Sequence, residues 1–105
     1  TLYGPVKIAV EGPAEYSLHQ NYPNPFNPET RINFTMKEKG QVELSVFNLQ
    51  GRMVRHLVAK QLGAGVHSVT WDGRDANGQV VPSGIYLYKL QVNGFETMRK
   101  MEFIK

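Results

Sequence analysis

Glycine and proline fall so densely along this chain that few windows are long enough for a helix. Ten Gly and six Pro are spread over 105 residues. A proline inside a helix removes a hydrogen bond and clashes with the preceding turn. Between these breaks apolar residues recur at every second position, the period of a half-buried strand. Ile32, Phe34 and Met36 alternate with Arg31, Asn33 and Thr35. Val42, Leu44 and Val46 alternate with Gln41, Glu43 and Ser45. Val69 and Trp71 alternate with Ser68 and Thr70, with His67 leading the apolar set. Tyr86, Tyr88, Leu90 and Val92 share one face of a strand starting near Gly84, and Met101 and Phe103 share a face of the last.

Turn chemistry separates the runs. Lys39-Gly40 lies between the first two, and Asn48-Leu49-Gln50-Gly51 reads as a type I turn closed by a glycine at positive φ. Gly63-Ala64-Gly65 follows, and Asp72–Gly78 is a long polar turn. Asn93-Gly94 is the two-residue type I′ signal and should pair Gly84–Val92 with Phe95–Ile104 as antiparallel neighbours. Arg52–Leu62 fits a short helix with Met53, Leu57 and Val58 on one side. It also fits a strand, with Met53, Arg55 and Leu57 alternating against Val54, His56 and Val58. The hairpin turn at Gly51 favours the strand. The head, Thr1–Glu15, holds a possible strand at Val6–Val10 and reads as a linker or the tail of an upstream domain. About seven short strands at regular spacing predict an all-β, antiparallel β-sandwich.

Composition narrows the function classes. The length predicts one domain that buries about 65% of the unfolded chain's surface, enough for a core without staples. With no cysteine, disulfide scaffolds, thiolate metal sites and cysteine nucleophiles are excluded. No apolar stretch approaches the roughly 20 residues of a membrane-spanning helix. Thr1-Leu2-Tyr3-Gly4-Pro5 shows no signal-peptide pattern, so the chain is expected to be a piece of a larger protein, with any export signal upstream. The net charge is +3, but the twelve Lys and Arg are scattered from Lys7 to Lys105. A spread of this kind is a solvated surface, and nucleic acid is not expected as a partner.

Gln20–Pro28 is the unusual segment. Pro23, Pro25 and Pro28 fix φ near −65° and remove three N–H donors, so a stiff, polyproline-like strap is expected in place of a ladder strand. Tyr22 and Phe26 can insert into a sandwich edge, and the plainer reading of the segment is a rigid lead-in that closes one end of the core. Tyr16–Thr30, which contains this strap, resembles the opening of the type A C-terminal sorting domain of the type IX secretion system. That family overlaps the immunoglobulin-like module of the flagellar hook-capping protein. Val46–Gly51 resembles the family's hydrophobic-Asn-x-x-Gly turn, and Gly65–Gly73 its G-x-H-x-x-x-W-D-G stretch. Pro82–Tyr86 resembles its S-G-x-Y turn, and Lys100–Lys105 its terminal basic-apolar strand. The match covers residues 16–105 and leaves residues 1–15 unmatched.

The resemblance implies a seven-stranded immunoglobulin-like sandwich with no enzymatic activity and no cofactor. It implies a C-terminal export and surface-anchoring signal, acting on an attached upstream cargo by way of the periplasm and outer membrane. The implied partners are an outer-membrane translocon and a surface peptidase, and the module is expected to be monomeric. By position, the family's signal falls on Gly84, Tyr86, Gly94, Lys100 and Lys105, with Arg99 as a departure beside Lys100. A last strand reached by an Asn-Gly hairpin is expected at a sheet edge, where unpaired backbone groups invite strand addition. Arg99, Lys100 and Lys105 would then offer charge to an acidic groove. The plainer reading makes them solubilising gatekeepers. Gly84 has a plainer reading as a positive-φ turn residue, and Tyr86 as core with its hydroxyl on a nearby backbone group.

Other chemistry is poorly supported. His67 and Ser68 adjoin on a strand and point to opposite faces, while His19 and His56 have no partner by spacing. No H-E-x-x-H, G-x-S-x-G or phosphate loop is present. Asp72, Asp75 and Asn77, followed by Gly78, form a weak calcium candidate, but the first spacing departs from an EF-hand and Val81 offers no side-chain ligand. Asx side chains closing a turn explain the same residues. The rival function is a carbohydrate-binding or accessory module of a secreted glycoside hydrolase. Trp71 is expected in the core, and Tyr3, Tyr22 and Phe95 are the aromatics that could be exposed.

Overall fold

A computed structural model describes residues 15–105, so the possible strand at Val6–Val10 lies outside the described residues. Seven strands follow one another: β1 (Ser17–Leu18), β2 (Thr30–Met36), β3 (Gly40–Phe47), β4 (Met53–Leu62), β5 (Gly65–Trp71), β6 (Gly84–Val92) and β7 (Phe95–Phe103). They form a three-stranded sheet, β1-β2-β5, and a four-stranded sheet, β4-β3-β6-β7, with every pairing antiparallel. The all-β immunoglobulin-like sandwich is thus the fold.

The alternating residues named from the sequence are the core. Ile32, Phe34 and Met36 face Val42, Leu44, Val46, Tyr88 and Leu90, and Trp71 closes the end of β5, all of them essentially inaccessible to solvent. Full burial of such a side chain stabilises by about 1.5–3 kcal/mol. Arg52–Leu62 is a strand, but not a simply alternating one. Its register on β3 skips Leu57 and Val54, so Leu44 faces Val58 while Ser45 faces His56. These two bulges turn Val54, Leu57 and Val58 together toward the core. The resulting spacing imitates a helix, which is why the segment reads ambiguously.

The proline segment corrects one expectation and separates its two aromatics. It is not an extended polyproline rod: the Thr30 hydroxyl donates to the Pro23 carbonyl at 2.9 Å, folding the segment back on itself. Phe26 inserts as expected, stacking on Phe103 at 4.9 Å and lying 5.5 Å from Trp71. Tyr22 does not insert and is 79% exposed. Its N–H and C=O pair with Arg31 at 2.9 and 2.8 Å, a bridge that fixes which way the side chain points. Asn21 takes the buried place instead. Its amide donates to the Pro23 carbonyl and the Thr30 hydroxyl, and its carbonyl oxygen accepts from Gln20.

Candidate recognition surface

All the residues singled out for recognition lie on the β6–β7 hairpin or directly after it, but they do not converge. Asn93 and Gly94 have φ of 47° and 82°, the type I′ turn the dipeptide requires. Gly84, at φ 152°, begins the hairpin at its other end, opposite Phe103. Nine paired positions at about 3.4 Å each separate the two glycines along the strand. The Tyr86 hydroxyl donates to the Pro82 carbonyl at 2.6 Å, and burial raises its pKa. Gly84 and Tyr86 therefore brace the loop that leads into β6.

Arg99 and Lys100 point to opposite faces. Arg99 opposes the buried Tyr88 and its Nε donates to the Leu18 carbonyl across the seam between β7 and β1. Lys100 opposes Leu87 on the outer face. Lys105 follows β7, its N–H donating to the Ser83 hydroxyl at 2.8 Å. The basic residues are thus spread along the hairpin, with Lys100 and Lys105 free to present charge outward.

β7 is an edge strand of its sheet, but half of that edge is occupied. Gln20 donates to the Lys100 carbonyl, the Glu102 N–H donates to Asn24, the Phe26 N–H donates to the Glu102 carbonyl, and the Ile104 N–H donates to the Phe26 carbonyl. These bonds are 2.8–3.1 Å long. By strand alternation the outward groups still open are those of Glu96 and Met98 and the Lys100 N–H. The unpaired edge groups expected of the last strand are thus confined to this shorter span, because the proline segment pairs with the rest.

Sequence reasoning missed the group that ties the segment down. The Tyr88 hydroxyl donates to the His19 carbonyl and accepts from the Asn21 N–H, each at 2.8 Å. Desolvation raises its pKa, partly offset by the Asn21 hydrogen bond and the Arg99 charge. The signal was available: a tyrosine on the core face of a strand must find a partner for its hydroxyl.

The Asp72–Gly78 loop is held by its own side chains. Asp72 accepts from the Arg74 N–H, and Asp75 accepts from the Asn77 and Gln79 N–H groups at 2.9–3.1 Å. Of the calcium candidates, Asp72 and Asp75 are thus engaged in Asx turn closure while Asn77 contributes its N–H, and no cluster of three or more His, Asp or Glu suited to a metal occurs among the described residues. Trp71 is buried, its Nε1 donating to the Arg74 carbonyl at 2.9 Å. Phe95 packs on Tyr16 at 5.5 Å, and Tyr3 lies outside the described residues. His56 does have a partner that spacing did not reveal: its Nδ1 lies 3.1 Å from the Ser45 hydroxyl.

These features define the class, an immunoglobulin-like β-sandwich module with a braced edge hairpin. The chain belongs to the FlgD Ig-like domain family, whose model matches residues 22–94. The basal-body rod modification protein FlgD of Salmonella typhimurium is 44% identical over 46 residues, covering 44% of this chain and 20% of that protein. The matched part of this chain therefore spans only a fifth of that relative's length. Dimeric latent PorU from Porphyromonas gingivalis superposes with a TM-score of 0.68 at 21% identity, over 90% of this chain and 10% of that one. PorZ, a surface component of the type IX secretion system of the same organism, superposes with a TM-score of 0.56 at 19% identity. That match covers 86% of this chain and 11% of PorZ. At these identities the two likenesses are of fold. The family model stops at Gly94, whereas the PorU likeness covers nearly the whole chain.

Proposed function

We propose that this module is a non-catalytic address for a type IX secretion system. It directs an attached upstream cargo from the periplasm through the outer-membrane translocon. At the cell surface a peptidase processes it and the cargo is anchored. The observation that carries this reading is the PorU-like fold over 90% of the chain, combined with a terminal hairpin displayed at a sheet edge. The receptor would read the open backbone of Glu96–Lys100 by strand addition, and the outward charges of Lys100 and Lys105. Gly84, Tyr86, Gly94 and Arg99 serve by holding that hairpin in place.

A second reading is favoured by the 44% identity to FlgD: an assembly module that contacts neighbouring subunits of a polymer. One experiment separates the two. A periplasmic reporter fused ahead of residues 1–105 is followed in cells with and without a type IX translocon. The address reading expects surface reporter only in the competent strain. Reporter retained in the periplasm of both strains contradicts it and leaves the assembly reading standing.

A further inference from the structure

Independently of the export reading, a second surface has the makings of a binding site. A cleft of about 550 Å³ opens on the outer face of the three-stranded sheet, at the end away from the Asn93-Gly94 turn, with Tyr22, Glu29, Arg31, Asn33 and Thr70 in its lining. Backbone pairing sets the arrangement. Tyr22 bridges Arg31 on one side, and Arg31 is the ladder partner of Thr70 on the other. Residues directly opposite one another across antiparallel strands project from the same face. Tyr22, Arg31 and Thr70 therefore form one row over three strand positions, about 10 Å long at the usual strand separation of about 4.8 Å. Asn33 flanks the row two residues along β2.

Tyr22 is the telling member. It is 79% exposed, yet its main chain is bonded on both sides to Arg31 and its neighbour Asn21 is buried. The ring is held out into water by a rigid backbone. None of the Tyr22, Glu29, Arg31, Asn33 and Thr70 side chains has a hydrogen-bond or ion-pair partner among the described residues. The cleft offers a flat aromatic face, a guanidinium with several donors, a carboxylate that only accepts, and an amide and hydroxyl that do both. A cleft of both charge signs is poorly matched to a simple anion. It matches a neutral sugar, whose ring C–H face packs on an aromatic plane while its hydroxyls donate and accept around the rim.

We propose that this row binds an extended, neutral, β-linked polysaccharide, with one pyranose ring on Tyr22 and the next over Arg31 and Thr70. The straight row suits a ribbon-like chain and has about the length of a disaccharide.

The test is affinity electrophoresis of residues 1–105 in gels containing hydroxyethylcellulose, glucomannan, xylan or alginate. It is paired with titration of cellohexaose followed by amide NMR shifts. The proposal expects retardation by at least one neutral polymer and shifts centred on Tyr22, Arg31 and Thr70. Tyr22→Ala should weaken binding about tenfold, comparable with loss of one aromatic contact, while Tyr22→Phe keeps most of it. The exposure of Tyr22 means that the melting temperature should not move, so loss of binding cannot be assigned to unfolding. Mobility unchanged in every neutral gel, retardation by alginate alone, or full binding by folded Tyr22→Ala would overturn it.

Discussion

The two long margins of the sandwich are closed by different means. On one side the chain itself crosses between sheets, from β4 to β5 through Gly63-Ala64. There Arg55 donates to Asp72 and to the Arg74 carbonyl, partners only 17 and 19 residues away. On the other side nothing covalent joins β7 to the three-stranded sheet. That margin is closed by β1, His19 and the proline segment, through contacts that span 67–81 residues. The first closure is local and needs little loop entropy, whereas the second must be assembled from both ends of the domain. The strand nominated for recognition therefore depends on the less local of the two margins.

This contrast can be broken most sharply at Phe26. Phe26→Ala empties a fully buried site against Phe103 and Trp71 and should cost about 3–5 kcal/mol in urea unfolding. Amide exchange at Ile104, whose N–H is bonded to the Phe26 carbonyl, should accelerate more than exchange in β2 or β5. A loss spread evenly over both sheets would deny the two margins separate characters.

Tyr88→Phe should cost less, about 1–3 kcal/mol, because the Asn21 N–H and His19 carbonyl both lose their partner. The hydroxyl also sharpens the comparison through pH. Tyr86 and Tyr88 have raised pKa values in the folded state. Their contribution to stability is therefore complete below the unfolded value near 10 and declines as pH rises through the folded values. Wild-type stability should fall above about pH 10, and Tyr88→Phe should flatten that fall. An identical alkaline profile in the two proteins would contradict the role given to this hydroxyl.

At the opposite margin, Arg55→Ala should cost under about 1 kcal/mol, since both partners of its ion pair are substantially exposed. A larger loss there than at Tyr88 would reverse the ranking of the margins. The smallest expected effect on stability is at the outward charges, where Lys100→Glu with Lys105→Glu should stay within about 0.5 kcal/mol of wild type.

Much of this molecule is legible in the sequence because its strands obey a period of two. Ile32, Phe34 and Met36, or Tyr86, Tyr88, Leu90 and Val92, need only a pleated backbone to share a face. Asn93-Gly94 likewise carries its turn within two residues. What is not legible depends on pairing between distant segments. The bulges that swing Leu57 and Val54 inward are set by the register on β3. The outward turn of Tyr22 follows from its bridge to Arg31, and the covering of the far half of β7 follows from where the prolines let Asn24 and Phe26 lie. The hairpin could thus be nominated from its turn and its charges, but not the length of edge it leaves open.

Truncating Lys100–Lys105 would test the address poorly, since Met101 and Phe103 belong to the core. The direct measurement is surface delivery of a reporter carrying the Lys100→Glu, Lys105→Glu module in translocon-competent cells, alongside its melting temperature. An outward-reading receptor predicts that delivery collapses while the melting temperature holds. Delivery at the wild-type level by the charge-reversed, fully folded module would contradict the claim that this hairpin is what the receptor reads.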